Sequence, residues 1–91
     1  MKRLYVLCYD ISDAKRRARV ARALEKIGAR VQGSVFEAVL TKAQANAVFQ
    51  RLNAELDAGD SLRLYPIGER FRGDILASGV ESMPLEGYWL V

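Results

Sequence analysis

The chain contains no histidine. That absence removes imidazole acid–base chemistry, histidine zinc ligands and phosphoramidate intermediates together. It has one cysteine, Cys8, set inside an apolar run, so no disulfide can form within a monomer and a reducing compartment fits. No apolar run approaches the length of a membrane span, and the first residues lack the pattern of a secretion signal. Repeats, linkers and low-complexity stretches are missing as well. The expectation is a small cytoplasmic protein with no membrane partner. At 91 residues and 51% hydrophobic, the chain is one domain with a single modest core, too apolar for a disordered segment.

Arginine is what the sequence has in plenty: ten of the 14 basic residues are Arg and four are Lys. The net charge is +3 and the pI about 9.3, a balance that permits an anionic partner without requiring one. A forked guanidinium suits phosphate, although genome composition would give the same excess.

The pattern along the chain is regular. Residues 3–9, RLYVLCY, are apolar and aromatic on both faces and read as a central strand. A helix over 14–27 follows, with Ser12 or Asp13 as its cap, Val20, Leu24 and Ile27 on one face, and Gly28 as its stop. Lys15, Arg19, Arg22 and Lys26 fall within about a 60° stripe nearly opposite that face. Residues 30–40 are strand-like, and Gly33 divides them. Thr41 and Gln44 form a capping box for a second helix, which carries Ala45, Val48, Phe49, Leu52 and Leu56 and closes at Gly59. Residues 61–67 give another strand, with Pro66 marking an edge or a terminus. The signal weakens over 69–85, and EGYWLV at 86–91 reads as a last strand.

The order β-α-β-β-α-β is the split βαβ, ferredoxin-like arrangement of the α+β class, in which two helices cover one face of a four-stranded antiparallel sheet. The whole chain, 1–91, forms that one domain, with 69–91 as a C-terminal extension. In the first strand Leu4, Val6, Cys8 and Asp10 point one way and Tyr5, Leu7 and Tyr9 the other. Two helices cover one face only. The Tyr5, Leu7 and Tyr9 set is too apolar to be solvated and is expected to face another surface, for which a two-fold homodimer is the commonest solution. The tail Tyr88-Trp89-Leu90-Val91 suits the same dimer, as a strand added to the partner's sheet edge.

Without histidine, the chemistry left is that of carboxylates, metals and arginine. Asp10, just past a strand end, is the leading candidate. From spacing alone it reads equally as an Asx-turn or loop cap ahead of the helix. One carboxylate is a poor Mg²⁺ site by itself, but Mg²⁺ is commonly held by one or two carboxylates with waters and substrate phosphates. Asp10 and its symmetry mate in a dimer would meet that need. The basic stripe has a plain reading as a solvated helix face. Against that reading, it has no acidic member for i,i+4 pairing, and Arg16 and Arg17 stand in the first turn, where the helix dipole disfavours cations. Glu37, mid-strand, is expected to be exposed or paired with a nearby Arg. Gln32 and Ser34 show no base that would activate a nucleophile.

Three blocks then carry a resemblance: Tyr9-Asp10-Ile11-Ser12-Asp13 with Lys15-Arg16-Arg17; Gly28, then Arg30-Val31-Gln32 and Ser34-Val35-Phe36-Glu37; and Arg63 with Tyr65-Pro66-Ile67. In this order and spacing, across residues 1–68, the chain resembles the second CRISPR-associated protein, the small metal-dependent endonuclease of spacer acquisition. The resemblance implies a ferredoxin-like homodimer whose two Asp10 carboxylates face each other to bind Mg²⁺, with Mn²⁺ as a substitute. It implies cleavage of phosphodiester bonds in RNA or DNA, and a place between copies of the CRISPR integrase subunit. Lys15, Arg16, Arg17, Arg19 and Arg22 are the expected nucleic-acid contacts. The alternative is a non-catalytic scaffold whose basic surface positions duplex DNA for the integrase. An RNA-recognition module is disfavoured, because GSVFEAVL lacks the paired aromatics of that fold's Gly-rich strand motif.

Overall fold

The protein was described from a computed structural model, over residues 1–78. Strand β1 (Lys2–Asp10) is followed by helix α1 (Ala14–Glu25), the hairpin β2 (Ala29–Gln32) and β3 (Val35–Thr41), helix α2 (Lys42–Asn53) and strand β4 (Ser61–Ile67). A short 3₁₀ helix, Glu69–Asp74, ends the described chain. The strands form one sheet in the order β2-β3-β1-β4, and every pairing is antiparallel. This is the α+β, ferredoxin-like arrangement expected from the sequence. The expected last strand at 86–91 lies outside the described residues.

Local signals account for most of the boundaries. The Thr41 Oγ1 accepts from the Gln44 N–H at 3.1 Å while Gln44 Oε1 accepts from the Thr41 N–H at 2.8 Å, so the capping box starts α2 as expected. Gly33, at φ 26°, turns the β2–β3 hairpin, and the register slips between Arg30 and Gln32. Pro66 costs β4 a backbone donor, which is tolerable because β4 lies at the sheet edge among the described residues.

Both helices end earlier than their hydrophobic period suggests. In α1 the Lys26 and Ile27 amides drop back to the Ala23 and Leu24 carbonyls, which tightens the last turn before Gly28. Helix α2 stops at Asn53, and Glu55 and Leu56 continue in tight turns. Gly59 belongs instead to the loop before β4, at φ 89°.

The two sheet faces are the reverse of the sequence expectation. Tyr5, Leu7 and Tyr9 join Phe36, Ala38 and Leu40 beneath the helices, packed with Val20, Ala21, Leu24, Ala45 and Leu52. The helices supply small side chains where the strand is bulky: Tyr9 lines a cleft with Ala14, Ala18 and Ala21, and Tyr5 one with Ala45. Tyr9 and Phe36 add a tilted aromatic contact with centroids 6.2 Å apart. Burying such large apolar groups is the main favourable term in the fold.

The face left open is the other set. Leu4 and Val39 are buried there beside Ile67 and Ile75. Toward the Asp10 end, Val6, Cys8 and Val35 stay half-buried and Tyr65, opposite Val6, is 46% exposed. Glu37, also opposite Val6, is only 7% exposed, so of the two expectations for it the exposed one falls and that of a partnered acid is left.

Gly28 shows how tightly α1 is seated. A Cβ at this position would overlap the Glu37 carbonyl oxygen of β3. Gly28→Ala is expected to cost about 1–3 kcal/mol, the usual range for overpacking. Urea unfolding of the two proteins checks this; equal midpoints would mean that β3 yields freely.

Candidate functional site

Asp10 ends β1, in register with Ser61 of β4, and is exposed. The cost of a carboxylate buried at a strand end therefore does not arise in the single chain. Capping α1 falls to Asp13, whose Oδ2 accepts from the Arg16 N–H at 2.8 Å. Among the described residues no hydrogen bond or ion pair engages the Asp10 side chain. It is not used as a cap and is free to take a ligand.

The donor type fits Mg²⁺, which takes hard carboxylate oxygens and keeps several waters. Among the described residues no group of three potential metal ligands comes together. A single chain thus presents one carboxylate and no cage.

The loop after Asp10 is held from several directions. Arg17 Nη1 donates to the Ile11 carbonyl at 2.9 Å and to the Ser12 carbonyl at 3.3 Å. Asp60, from the loop before β4, has a side chain only 1% exposed. Its Oδ2 accepts from the Asp57 N–H at 2.9 Å and from Arg16 Nε at 3.1 Å, with Arg16 Nη2 at 3.0 Å. Its Oδ1 accepts a longer bond, 3.4 Å, from the Ser12 N–H. The Asp57 backbone donor, then the Arg16 and Ser12 donors, outweigh burial and hold the Asp60 carboxyl below its ordinary value near 3.8.

The five basic candidates divide. Arg16 is bound to Asp60 and lies 3.7 Å from Asp57. Arg17 closes the loop, and Arg19 pairs with Glu55 at 2.9 Å. Lys15 and Arg22 have no hydrogen bond or ion pair among the described residues. Arg22 lines a groove of about 320 Å³ between the helices, together with Arg19, Lys26, Arg51 and Glu55 and the apolar Ala23, Ile27 and Leu52. The sequence stripe contained Lys26 but gave no sign of Arg51, which arrives from α2.

A second cleft, about 540 Å³, opens at the Asp10 end beneath the hairpin, lined by Tyr9, Arg17, Arg30 and Ser34 among others. The Arg30 guanidinium lies 5.1 Å from the Phe36 ring centroid and 3.5 Å from Glu25. Site reasoning from the sequence missed Arg30 because β2 gave no cue to which face it takes.

The family profile described as CRISPR associated protein Cas2 matches residues 2–75. The chain belongs to the Cas2 family. It is 40% identical over 84 residues to the CRISPR-associated endonuclease Cas2 2 of Thermus thermophilus, covering 91% of this chain and 89% of that one. It is 48% identical over 65 residues to the CRISPR-associated endoribonuclease Cas2 3 of Synechocystis, covering 70% and 71%. Among solved structures it is similar to Streptococcus pyogenes Cas2, at TM-score 0.72 and 30% identity over 84% of this chain and 99% of that one. It is also similar to a chain of a partial Cas6-RT–Cas1–Cas2 complex, at TM-score 0.64 and 26% identity over 93% and 99%. Among the described residues of this Cas2-family chain, no helix is long and apolar enough to cross a membrane.

The buried Asp60 carboxylate gives the fold an acid-sensitive point. Because its folded pKa is depressed, its stabilisation is complete above about pH 4, near the unfolded value, and is lost as pH falls through the lower folded value. Melts between pH 7 and pH 2 should show a shallower acid limb for Asp60→Asn than for the wild type. Parallel limbs would show that other groups govern acid unfolding.

Proposed function

We propose that the chain works as a homodimer that cleaves phosphodiester bonds of RNA or DNA, with Asp10 of each copy as a ligand to a shared Mg²⁺. The observation that carries this reading is the Asp10 carboxylate itself, exposed and unengaged at the end of the central strand. Beside it lies the sheet face that the helices leave uncovered, where half-buried Val6, Cys8 and Val35 adjoin the exposed Tyr65 and Arg63, a mixed surface of the kind that a second copy covers. A two-fold pairing of these faces gives the second carboxylate that one chain lacks. When bound, the cation supplies an activated water and stabilises charge developing on the phosphate. Relatives named as endonuclease and endoribonuclease support the reaction class and leave both nucleic acids as substrates to be assayed.

The chain's own contribution is to hold and to orient. Asp10 holds the cation, and Mn²⁺ would substitute for Mg²⁺ at such a carboxylate site. Lys15 and Arg22 are the phosphate contacts best placed to act, since no ion pair within the described residues occupies them. Arg16, Arg17 and Arg19 keep donors beyond those they spend on the fold, because a guanidinium carries five. The similarity to a chain of a Cas1-containing complex supports an integrase partner.

A second reading has its own support. Each chain offers one carboxylate and no ligand cluster among the described residues, as expected of a scaffold that positions duplex DNA for the integrase without cutting it.

Asp10→Asn separates the two. On the enzymatic reading, cleavage of RNA and DNA substrates falls by about 100-fold or more while the melting temperature stays near that of the wild type. Undiminished metal-dependent cleavage per folded molecule would make Asp10 a structural residue. On the scaffold reading, spacer integration with the partner survives the substitution.

The charge assignment is tested by binding. Lys15→Glu and Arg22→Glu should each weaken binding to unrelated sequences alike and lower the slope of log K against log salt by about one unit. An unchanged slope in both would return the stripe to a solvated helix face.

A further inference from the structure

Asp60 ties down the loop that follows Asp10 and stands next to Ser61, the residue paired with Asp10 in the sheet. Before the carboxylate, the β1–β4 ladder sets Asp10 opposite Ser61, the residue after Asp60. After it, the Ser12 N–H reaches back to Asp60 Oδ1. The same carboxylate also takes the Asp57 N–H and the Arg16 guanidinium, and Arg16 extends from the first turn of α1. One buried side chain thus joins the loop after Asp10 to the helix start, next to the residue that pairs with an acid that has no hydrogen bond of its own among the described residues. The placement of Asp10 is therefore set by its backbone, which the β1–β4 ladder holds before the acid and Asp60 holds after it, through Ser12.

We infer that Asp60 is a positioning residue for the metal-binding carboxylate of Asp10, acting through Ser12 and Arg16 without touching the cation. This rests on the reading of Asp10 as the metal ligand. The physical ground is that groups which orient a ligand govern metal affinity: their loss typically costs about 10–100-fold. A structural staple would lower stability alone. A positioning residue shifts the metal response in addition.

The test is a Mg²⁺ titration of the full-length protein without nucleic acid, read as the rise in melting temperature. It compares the wild type with Asp60→Asn, Arg16→Lys, Asp10→Asn and Leu40→Val. Leu40 is a buried core residue of β3 opposite Arg3, toward the other end of β1, and serves as the control for lost stability. Asp60→Asn should raise the Mg²⁺ concentration at half-maximal shift about tenfold or more. Arg16→Lys keeps the charge but gives up the forked contact, and should move the midpoint in the same direction; it carries the test if Asp60→Asn does not fold. Leu40→Val should lower the melting temperature and leave the midpoint in place. An unmoved midpoint in Asp60→Asn, or an equal movement in Leu40→Val, overturns the inference while a lost response in Asp10→Asn leaves Asp10 as the ligand. A full response in Asp10→Asn overturns the reading of Asp10, and this inference with it.

Discussion

Because β1 is paired with β3 on one side and with β4 on the other from Leu4 to Cys8, and with β4 alone as far as Asp10, its backbone has little freedom up to the acid. The helices then cover one of its faces with the Tyr5, Leu7 and Tyr9 cluster, which fixes the parity of every side chain on the strand. Asp10 inherits its position from this double constraint. A one-residue slip of β1 would turn the tyrosines to the open face and Asp10 to the helices, so packing in the core and placement of the acid depend on the same register.

What the sequence disclosed, and what it hid, follows the range of the interactions involved. The Thr41–Gln44 capping box spans three residues, and Gly33 and Pro66 act through their own backbones, so each was legible as it stands. Asp13 and Ser12 were equal candidates for capping α1, since neighbouring residues with the same chemistry differ only in where the helix starts. Parity along β1 separated two sets of side chains but carried no information on which set the helices cover. The alanines that make room for the tyrosines, Ala21 and Ala45, come from other elements. Arg16 and Arg19 find their acids 44 and 36 residues away, in the ELDAGD segment, and no local pattern joins them. Glu37 was left open between solvent and a partner for a related reason: the strand pattern does not show that the centre of this sheet buries it.

The charged residues serve two purposes that the first helix mixes along its length. Arginines in the first turn are disfavoured by the helix dipole, and for Arg16 and Arg17 the structure supplies compensation through Asp60 and the loop carbonyls. Such part-buried, multiply bonded pairs hold geometry better than exposed ones, whose contribution is small. Lys15 and Arg22 have no such duty among the described residues. A chain of this size thus spends part of its basic surplus on fixing the loop that follows Asp10 and leaves part of it without a partner among the described residues.

The central claim is that two Asp10 carboxylates meet on one cation across a two-fold axis. The most direct measurement is a crystal structure of the protein grown with Mn²⁺, with the ion located by its anomalous signal. One peak is expected on the axis, with an Asp10 oxygen from each copy on it and the two oxygens within about 4 Å of each other, as an octahedral ion of this size requires. Asp10 side chains pointing away from the interface, or a peak held by other residues, would contradict it.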